Sequence, residues 1–260
     1  MGLLEFVKSF LKLLRKVRLL NYFMWLVSLG MYVIFRIRNN ITIIGAKNVP
    51  KKGPFILIMN HSSGLDAFLA LAVIFGRLGH KFVSVANERS FKKDTFERAF
   101  LLALDMIPRI GTGNEIMKKL AKILLEHKIV GMVPEGMLND GKIMKAYTGT
   151  TRLYYFVNAH PKINCPIVPV ATIGAFEAYP PYRQPDGSYK PKKGGIIIRF
   201  GKPFHLPPIP QNTDRKKFFR EQTDEMMNIL CGLALQKEGV VDSWKINSIN
   251  HQTTQRKYSL

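Results

Sequence analysis

A chain of 260 residues, 47% of them hydrophobic, can bury one substantial core, which excludes both a disulfide-stapled miniprotein and an extended disordered chain. Its formal net charge of +21 calls for a polyanionic partner: nucleic acid, the anionic face of a membrane, or an acidic co-substrate. Cys165 and Cys231 are the only cysteines and lie far apart, so neither a disulfide framework nor a zinc cluster is expected.

Residues 1–18 place Leu3, Leu4, Val7, Phe10, Leu11, Leu14 and Val17 on one helical face, with Lys8, Lys12, Arg15, Lys16 and Arg18 outside it. That is the pattern of a helix lying in a membrane interface. The run Leu19–Phe35 then carries no charge, contains Tyr22, Trp25 and Tyr32, and is closed by Arg18 and Arg36. Its 17 residues sit at the lower edge of what spans a bilayer, since about 20 are normally needed. Residues 1–38 therefore read as a two-helix anchor dipping into one leaflet, with a single span as the alternative. The apolar run is longer than a typical signal core and no small-x-small cleavage site follows it before Arg36, which argues against a signal peptide. Within residues 1–40 seven Lys or Arg oppose one Glu, a balance that favours anionic lipid.

From 39 to 246 the chain alternates strand and helix, which predicts one α/β domain. Strands are expected at 40–49, 55–59, 82–86, 129–133, 166–171 and 196–200. Helices are expected at 65–75, 91–104, 115–127, 150–158 and 212–238, the last with Thr213 as N-cap and Gly239 as stop. The Pro-, Gly- and Lys-rich stretch 179–195 reads as an exposed loop, and residues 247–260 as a polar tail.

Chemistry concentrates where the apolar strands end. Asn60-His61-Ser62-Ser63-Gly64-Leu65-Asp66 follows the run Phe55–Met59 and sets an imidazole and a carboxylate five residues apart. An imidazole whose other ring nitrogen is held by a carboxylate is suited to take a proton from an alcohol near neutral pH. Alternatively His61 bonds only its loop, and Asp66 serves the first turn of the next helix. Ser62 and Ser63 lack a Gly-x-Ser-x-Gly elbow, and Cys165 has the setting of an inert buried thiol. The remaining histidines show no metal-ligand spacing.

Two more strands end in comparable motifs: Ile129–Val133 runs into Pro134-Glu135-Gly136, and Val168-Pro169-Val170 follows. In this order the three motifs resemble the lysophosphatidate (1-acylglycerol-3-phosphate) acyltransferase branch of the glycerol-phosphate acyltransferase superfamily, over roughly residues 40–205. The resemblance implies a mixed central sheet flanked by helices, and transfer of a fatty acyl group from acyl-CoA or acyl-carrier protein to a lysophospholipid hydroxyl. It assigns catalysis to His61 and Asp66, and substrate contacts to Asn60, Glu88, Arg89, Arg109, Glu135 and Gly136. Backbone amides near Gly136 are the expected donors to the tetrahedral oxyanion. Glu135 fits acceptor positioning or loop ordering better than a second base.

The chain departs from the family pattern at Ala86, where Lys is usual, and at Met137-Leu138, where Thr-Arg is usual. Lys142 and Lys145 read as solvated charges. Arg109 follows Pro108 in an apolar stretch and is the better phosphate ligand. No metal and no resident cofactor are expected; anionic lipids, a lyso-lipid and the acyl donor are the expected partners, with the catalytic domain on the cytoplasmic face. Two other classes remain open at this stage: a non-catalytic lipid-binding homologue, and a basic nucleic-acid-binding module that fits the charge but lacks any recognised motif.

Overall fold

The computed structural model describes residues 5, 9, 19–63, 65–88, 91, 96–139, 141–180, 194–237 and 239–240. The basic helix expected over 1–18, save residues 5 and 9, the loop core 181–193 and the C-terminal tail lie outside the described residues. The described chain runs α1 (Leu20–Asn39), β1 (Thr42–Ile44), β2 (Phe55–Met59), α2 (Asp66–Ala70), β3 (Phe82–Ala86), α3 (Phe96–Ala103), β4 (Ile107–Pro108) and α4 (Gly113–Leu125). It continues through β5 (Ile129–Met132), α5 (Gly149–Asn158), β6 (Ile167–Ile173), α6 (Ala175–Ala178), β7 (Ile197–Phe200) and α7 (Arg215–Ala234).

The strands form a mixed sheet in the order β1-β7-β6-β2-β5-β3-β4. Strands β6, β2, β5, β3 and β4 run parallel, while β7 pairs antiparallel with β6 and parallel with β1. The carboxyl ends of the five parallel strands therefore share one edge of the sheet, where open α/β folds collect their ligands. β2 lies between β5 and β6, so the chain leaving Met59 emerges at the middle of that edge.

The unbroken apolar run of β2 follows from burial on both sides. Phe55, Leu57 and Met59 pack into one cluster with Leu20 and Met24 of α1 and with Val73 to Phe75, whereas Ile56 and Ile58 pack into another with α4, α5 and α7. The second face is closed by polar fasteners as well as by apolar side chains. Thr151 and Thr223 bond hydroxyl to hydroxyl at 2.7 Å between α5 and α7, and the Leu206 amide donates to the Tyr154 hydroxyl at 3.1 Å.

α1 does not stand apart from this core. Leu20, Met24, Ser28 and Asn39 are buried along one side of it, Phe23, Trp25, Met31 and Phe35 pack beside them, and the opposite side leaves Leu19, Tyr22, Leu26, Val33, Ile34 and Ile37 exposed. The closest approach is to Gly76, where any Cβ would overlap the Ser28 carbonyl. Gly76 belongs to a π-helical stretch, Leu71–Arg77, that continues α2 without a break. α1 and the helix that begins with Asp66 are thus packed backbone against backbone at their crossing.

Several boundaries differ from the sequence reading. The expected helix 65–75 begins at Asp66 and widens into the π stretch, which lengthens it to Arg77. The strand expected over 40–49 is cut to Thr42–Ile44, because the chain turns at Gly45 into a single 3-10 turn. β4 at Ile107–Pro108 was not foreseen; it exists by pairing with Val85 and Ala86 at the sheet edge. α4 starts two residues early because Thr112 and Glu115 form a reciprocal capping box. α7 is capped not by Thr213 but by Asp214, whose side chain accepts from the amides of Lys216 and Lys217, and it ends at left-handed Leu235 before reaching Gly239.

Replacing Asp214 by Ala should therefore lower unfolding stability by about 1 kcal/mol. Thr213→Ala should change it by no more than about 0.5 kcal/mol. Urea midpoints of the two variants check the assignment; the reverse order would return the cap to Thr213.

Candidate active site

β2 ends in a tight turn that its own carboxylate organises. Asp66 Oδ2 accepts from the backbone amides of Ser62 and Ser63, both at 2.7 Å, and faces His61 Nδ1 at 3.1 Å. The Asp66 side chain is 3% exposed, and Oδ1 is buried without a hydrogen-bond partner among the described residues. An ionised carboxylate withdrawn this far from water requires such donors. With Nδ1 on Asp66, the imidazole turns Nε2 outward, and its side chain keeps 27% exposure. The arrangement can accept a proton from a bound hydroxyl and stabilise the imidazolium that results.

A second carboxylate braces the same turn from across the sheet. Glu135, at the carboxyl end of β5, accepts from the His61 amide at 3.0 Å on Oε1, and from Asn139 Nδ2 at 2.8 Å and the Met144 amide at 2.9 Å on Oε2. The Asn139 amide in turn donates to the His61 carbonyl at 2.7 Å. Burial pushes the Glu135 carboxyl up to about 7, against the pull of the Asn139, Met144 and His61 donors. Asn60 acts in the third direction: Nδ2 donates to the Thr172 carbonyl at 2.9 Å and Oδ1 accepts the Thr172 amide at 2.8 Å, tying the end of β2 to β6.

Asn60 and Glu135, expected among the substrate contacts, are therefore engaged inside the protein. Both are buried, at 5% and 1% exposure, and their polar atoms are met by backbone and Asn139. Of the two roles open to Glu135, the geometry matches loop ordering. Gly136 does sit at the exposed edge, with φ +70 and the Tyr147 ring close over the position of a Cβ. Its own amide donates to the Val133 carbonyl at 3.0 Å, so that amide is not the oxyanion donor anticipated there.

The basic and acidic residues expected at the site from the neighbouring strands lie further away. Glu88 follows β3, and Arg109 follows β4 with its amide on the Ala86 carbonyl at 2.9 Å. At roughly 4.8 Å per strand, β4 lies about 14 Å from β2 across the sheet. Arg109 is exposed rather than held in the apolar stretch around it. Arg89 lies outside the described residues.

Asn139, Met144 and Thr172 belong to the site and were missed in the sequence, and Ser63, weighed there only as a nucleophile, belongs to it as a brace. Their contributions are backbone groups, or side chains bonded to partners 4 to 116 residues away, for which no local pattern exists. Among the described residues no group of three or more His, Cys, Asp or Glu is placed to hold a metal ion. A cavity of 790 Å³ does open on the molecule, but at the opposite end of the sheet, lined by Lys51, Lys52, Lys81, His127 and Lys128 and by none of the residues above. There Lys81 already pairs with Asp105 at 2.9 Å and Lys128 with Glu126 at 2.6 Å.

The acyltransferase family model matches residues 40–173, more than half of the chain. The fold is similar to that of the 1-acyl-sn-glycerophosphate (LPA) acyltransferase PlsC from Thermotoga maritima, with a TM-score of 0.63 and 18% identity over 90% of this chain and 88% of that one. A search of curated protein sequences found no match. With the His61–Asp66 pair at the end of β2, the Glu135 brace beside it and the matched span covering both, this chain belongs to the acyltransferase family and carries the fold of a lysophosphatidate acyltransferase.

Proposed function

We propose that the protein transfers a fatty acyl group from a thioester donor, acyl-CoA or acyl-carrier protein, to the free hydroxyl of a lyso-lipid, by default 1-acylglycerol-3-phosphate, at a membrane surface. The observation that carries this reading is the 3.1 Å contact of His61 Nδ1 with a buried Asp66 at the open end of the sheet. Nε2 takes the hydroxyl proton as the oxygen attacks the thioester carbonyl. The tetrahedral intermediate collapses with loss of the thiolate, which recovers that proton from the imidazolium. No acyl-enzyme is needed, and Ser62 and Ser63 are occupied in holding the turn: their amides serve Asp66, and the Ser63 hydroxyl donates to the Tyr179 carbonyl.

The membrane setting is supported by α1. It is 20 residues long with mean hydropathy 1.4, and it leaves Tyr22, Leu26, Val33, Ile34 and Ile37 exposed on the side away from the core. One face belongs to the core, so the helix offers lipid only a stripe. That supports an interfacial seat along the surface over a free-standing span. The phosphate of the default acceptor would call on Arg109 or Arg89, in place of the cations that Ala86 and Leu138 do not supply.

His61→Ala should lower thioester consumption with a lyso-lipid acceptor by about 100- to 10,000-fold. Asp66→Asn should lower it at least about 100-fold, since the amide holds the ring without stabilising its charge. Native turnover in either variant would remove the mechanism. For the membrane, Leu26→Asp combined with Ile34→Asp should reduce co-flotation with anionic vesicles at least tenfold while leaving the urea midpoint in place, because each side chain gains roughly 1.5 kcal/mol or more on leaving water. Undiminished flotation would reject α1 as the contact.

Glu135 yields a pH dependence of known sign. Its folded pKa, about 7, exceeds the ordinary 4.5, so between these values the native state binds more protons than the unfolded chain. Its contribution is fully present below pH 4.5 and is lost as pH rises toward 7, by roughly 3 kcal/mol in all. Urea midpoints measured from pH 4.5 to 7.5 should show this decline in the native protein and a flatter profile in Glu135→Gln. Parallel profiles would refute it.

A further inference from the structure

The catalytic turn is fastened on one further side, where its own Ser63 reaches a residue outside the motifs. Ser63 is fully buried, and its hydroxyl donates to the backbone carbonyl of Tyr179 at 2.8 Å while accepting the Leu65 amide at 3.1 Å. Tyr179 follows α6 directly and is itself 8% exposed. Its phenol reaches away from the turn and donates to Asn39 Oδ1. Asn39 is the last residue of α1, 4% exposed, and its carbonyl accepts the Ile196 amide at 3.1 Å. The Tyr179 ring meets Phe35, one turn earlier on α1, edge to face at 6.0 Å between centroids.

These contacts form one continuous path: Asn39 to the Tyr179 hydroxyl, the Tyr179 carbonyl to the Ser63 hydroxyl, the Ser63 amide to Asp66, and Asp66 to His61. A buried phenol and a buried carboxamide are costly to leave unpaired, so each fixes the other. The same α1 is locked to the helix of Asp66 at the Ser28–Gly76 crossing. The two attachments join α1 to the turn through Tyr179 and to the helix that leaves the turn through Gly76.

We propose that Tyr179 is a positioning residue for acyl transfer, holding the His61–Asp66 turn in its reactive geometry by anchoring Ser63 to Asn39 of helix α1. This rests on the acyltransferase reading above and adds to it a residue outside every motif that carries the resemblance. Tyr179 touches neither His61 nor Asp66 and acts through Ser63 alone. Its loss should therefore displace the base by a fraction of an ångström without removing any group that contacts substrate. Misplacement on that scale slows the chemical step while leaving acceptor binding in place.

Steady-state kinetics on five full-length variants (Tyr179→Phe, Asn39→Ala, Asn39→Asp, Ser63→Ala and the Tyr179→Phe/Ser63→Ala double), normalised to folded protein by circular dichroism, test this. Tyr179→Phe and Asn39→Ala should each lower kcat about tenfold with acceptor KM within about twofold of native. Asn39→Asp, which keeps the oxygen that accepts from the phenol, should restore kcat to within about twofold of native. Adding Ser63→Ala to Tyr179→Phe should cost little beyond the larger single effect, because both cut one path. Should Asn39→Ala fail to fold, Tyr179→Phe and the Ser63 combination decide. Native kcat in Tyr179→Phe, a loss appearing only in KM, or multiplicative losses in the double variant would overturn the positioning role while the acyltransferase reading stands. A native protein that consumes no thioester with any lyso-lipid would overturn both.

Discussion

One carboxylate oxygen, Asp66 Oδ2, receives two backbone amides and one imidazole nitrogen, and the shape of the catalytic turn follows from that demand. Burial makes the demand strict, since a carboxylate at 3% exposure has no water to fall back on. The chain between His61 and Asp66 must wrap so that the Ser62 and Ser63 amides point inward, and wrapping it this way brings the ring of His61 alongside the same oxygen. Aligning the base and solvating the acid are thus one geometric solution. A longer or shorter spacing between the two residues would satisfy one requirement at the expense of the other.

The surrounding elements are arranged to keep that turn from relaxing. β2 enters it from the middle of the sheet, with neighbours on both sides, and each neighbour contributes one brace. β5 delivers Glu135 to the His61 amide, and β6 presents Thr172 to Asn60. The helix leaving the turn carries Asp66 at its first position and crosses α1 at Gly76. Glu135 is the counterpart of Asp66 in one respect, since both are buried acids that gather backbone amides. They differ in what else they hold: Asp66 faces the imidazole, whereas Glu135 gathers Asn139 and the Met144 and His61 amides, and burial pushes its carboxyl up to about 7.

Much of this arrangement could be read in the sequence, and the part that could not shares a physical cause. The strand Phe55–Met59 was legible because burial on both faces leaves no polar position to interrupt it. His61 and Asp66 were legible because their contact is local, five residues along one turn. Glu135 was marked by its motif, yet its partners Asn139, Met144 and the His61 amide come together only through the pairing of β5 with β2. Asn60 was assigned to substrate by the resemblance; only the register of β6 against β2 shows its amide spent on Thr172. The π-helical widening at Leu71–Arg77 left no trace in composition, as an apolar run has the same residues whether it is wound at 3.6 or more per turn.

α1 shows the limit of sequence patterning most directly. Its residues are apolar nearly all round, so periodicity alone could not separate a face for protein from a face for lipid. The structure separates them by size and polarity of contact: Ser28 lies where the backbone of Gly76 comes closest, Asn39 where a buried phenol needs an acceptor, and Leu26, Ile34 and Ile37 where nothing in the described protein covers them. Small and polar residues on the inner face fix the helix at specific points, while the outer face carries interchangeable aliphatic groups. A helix built only to hold a protein at a surface would need the second set and not the first. The presence of both makes α1 part of the scaffold of the catalytic turn, so deleting it would expose Leu57 and Phe75 to water and strip Tyr179 of its partner in the same event.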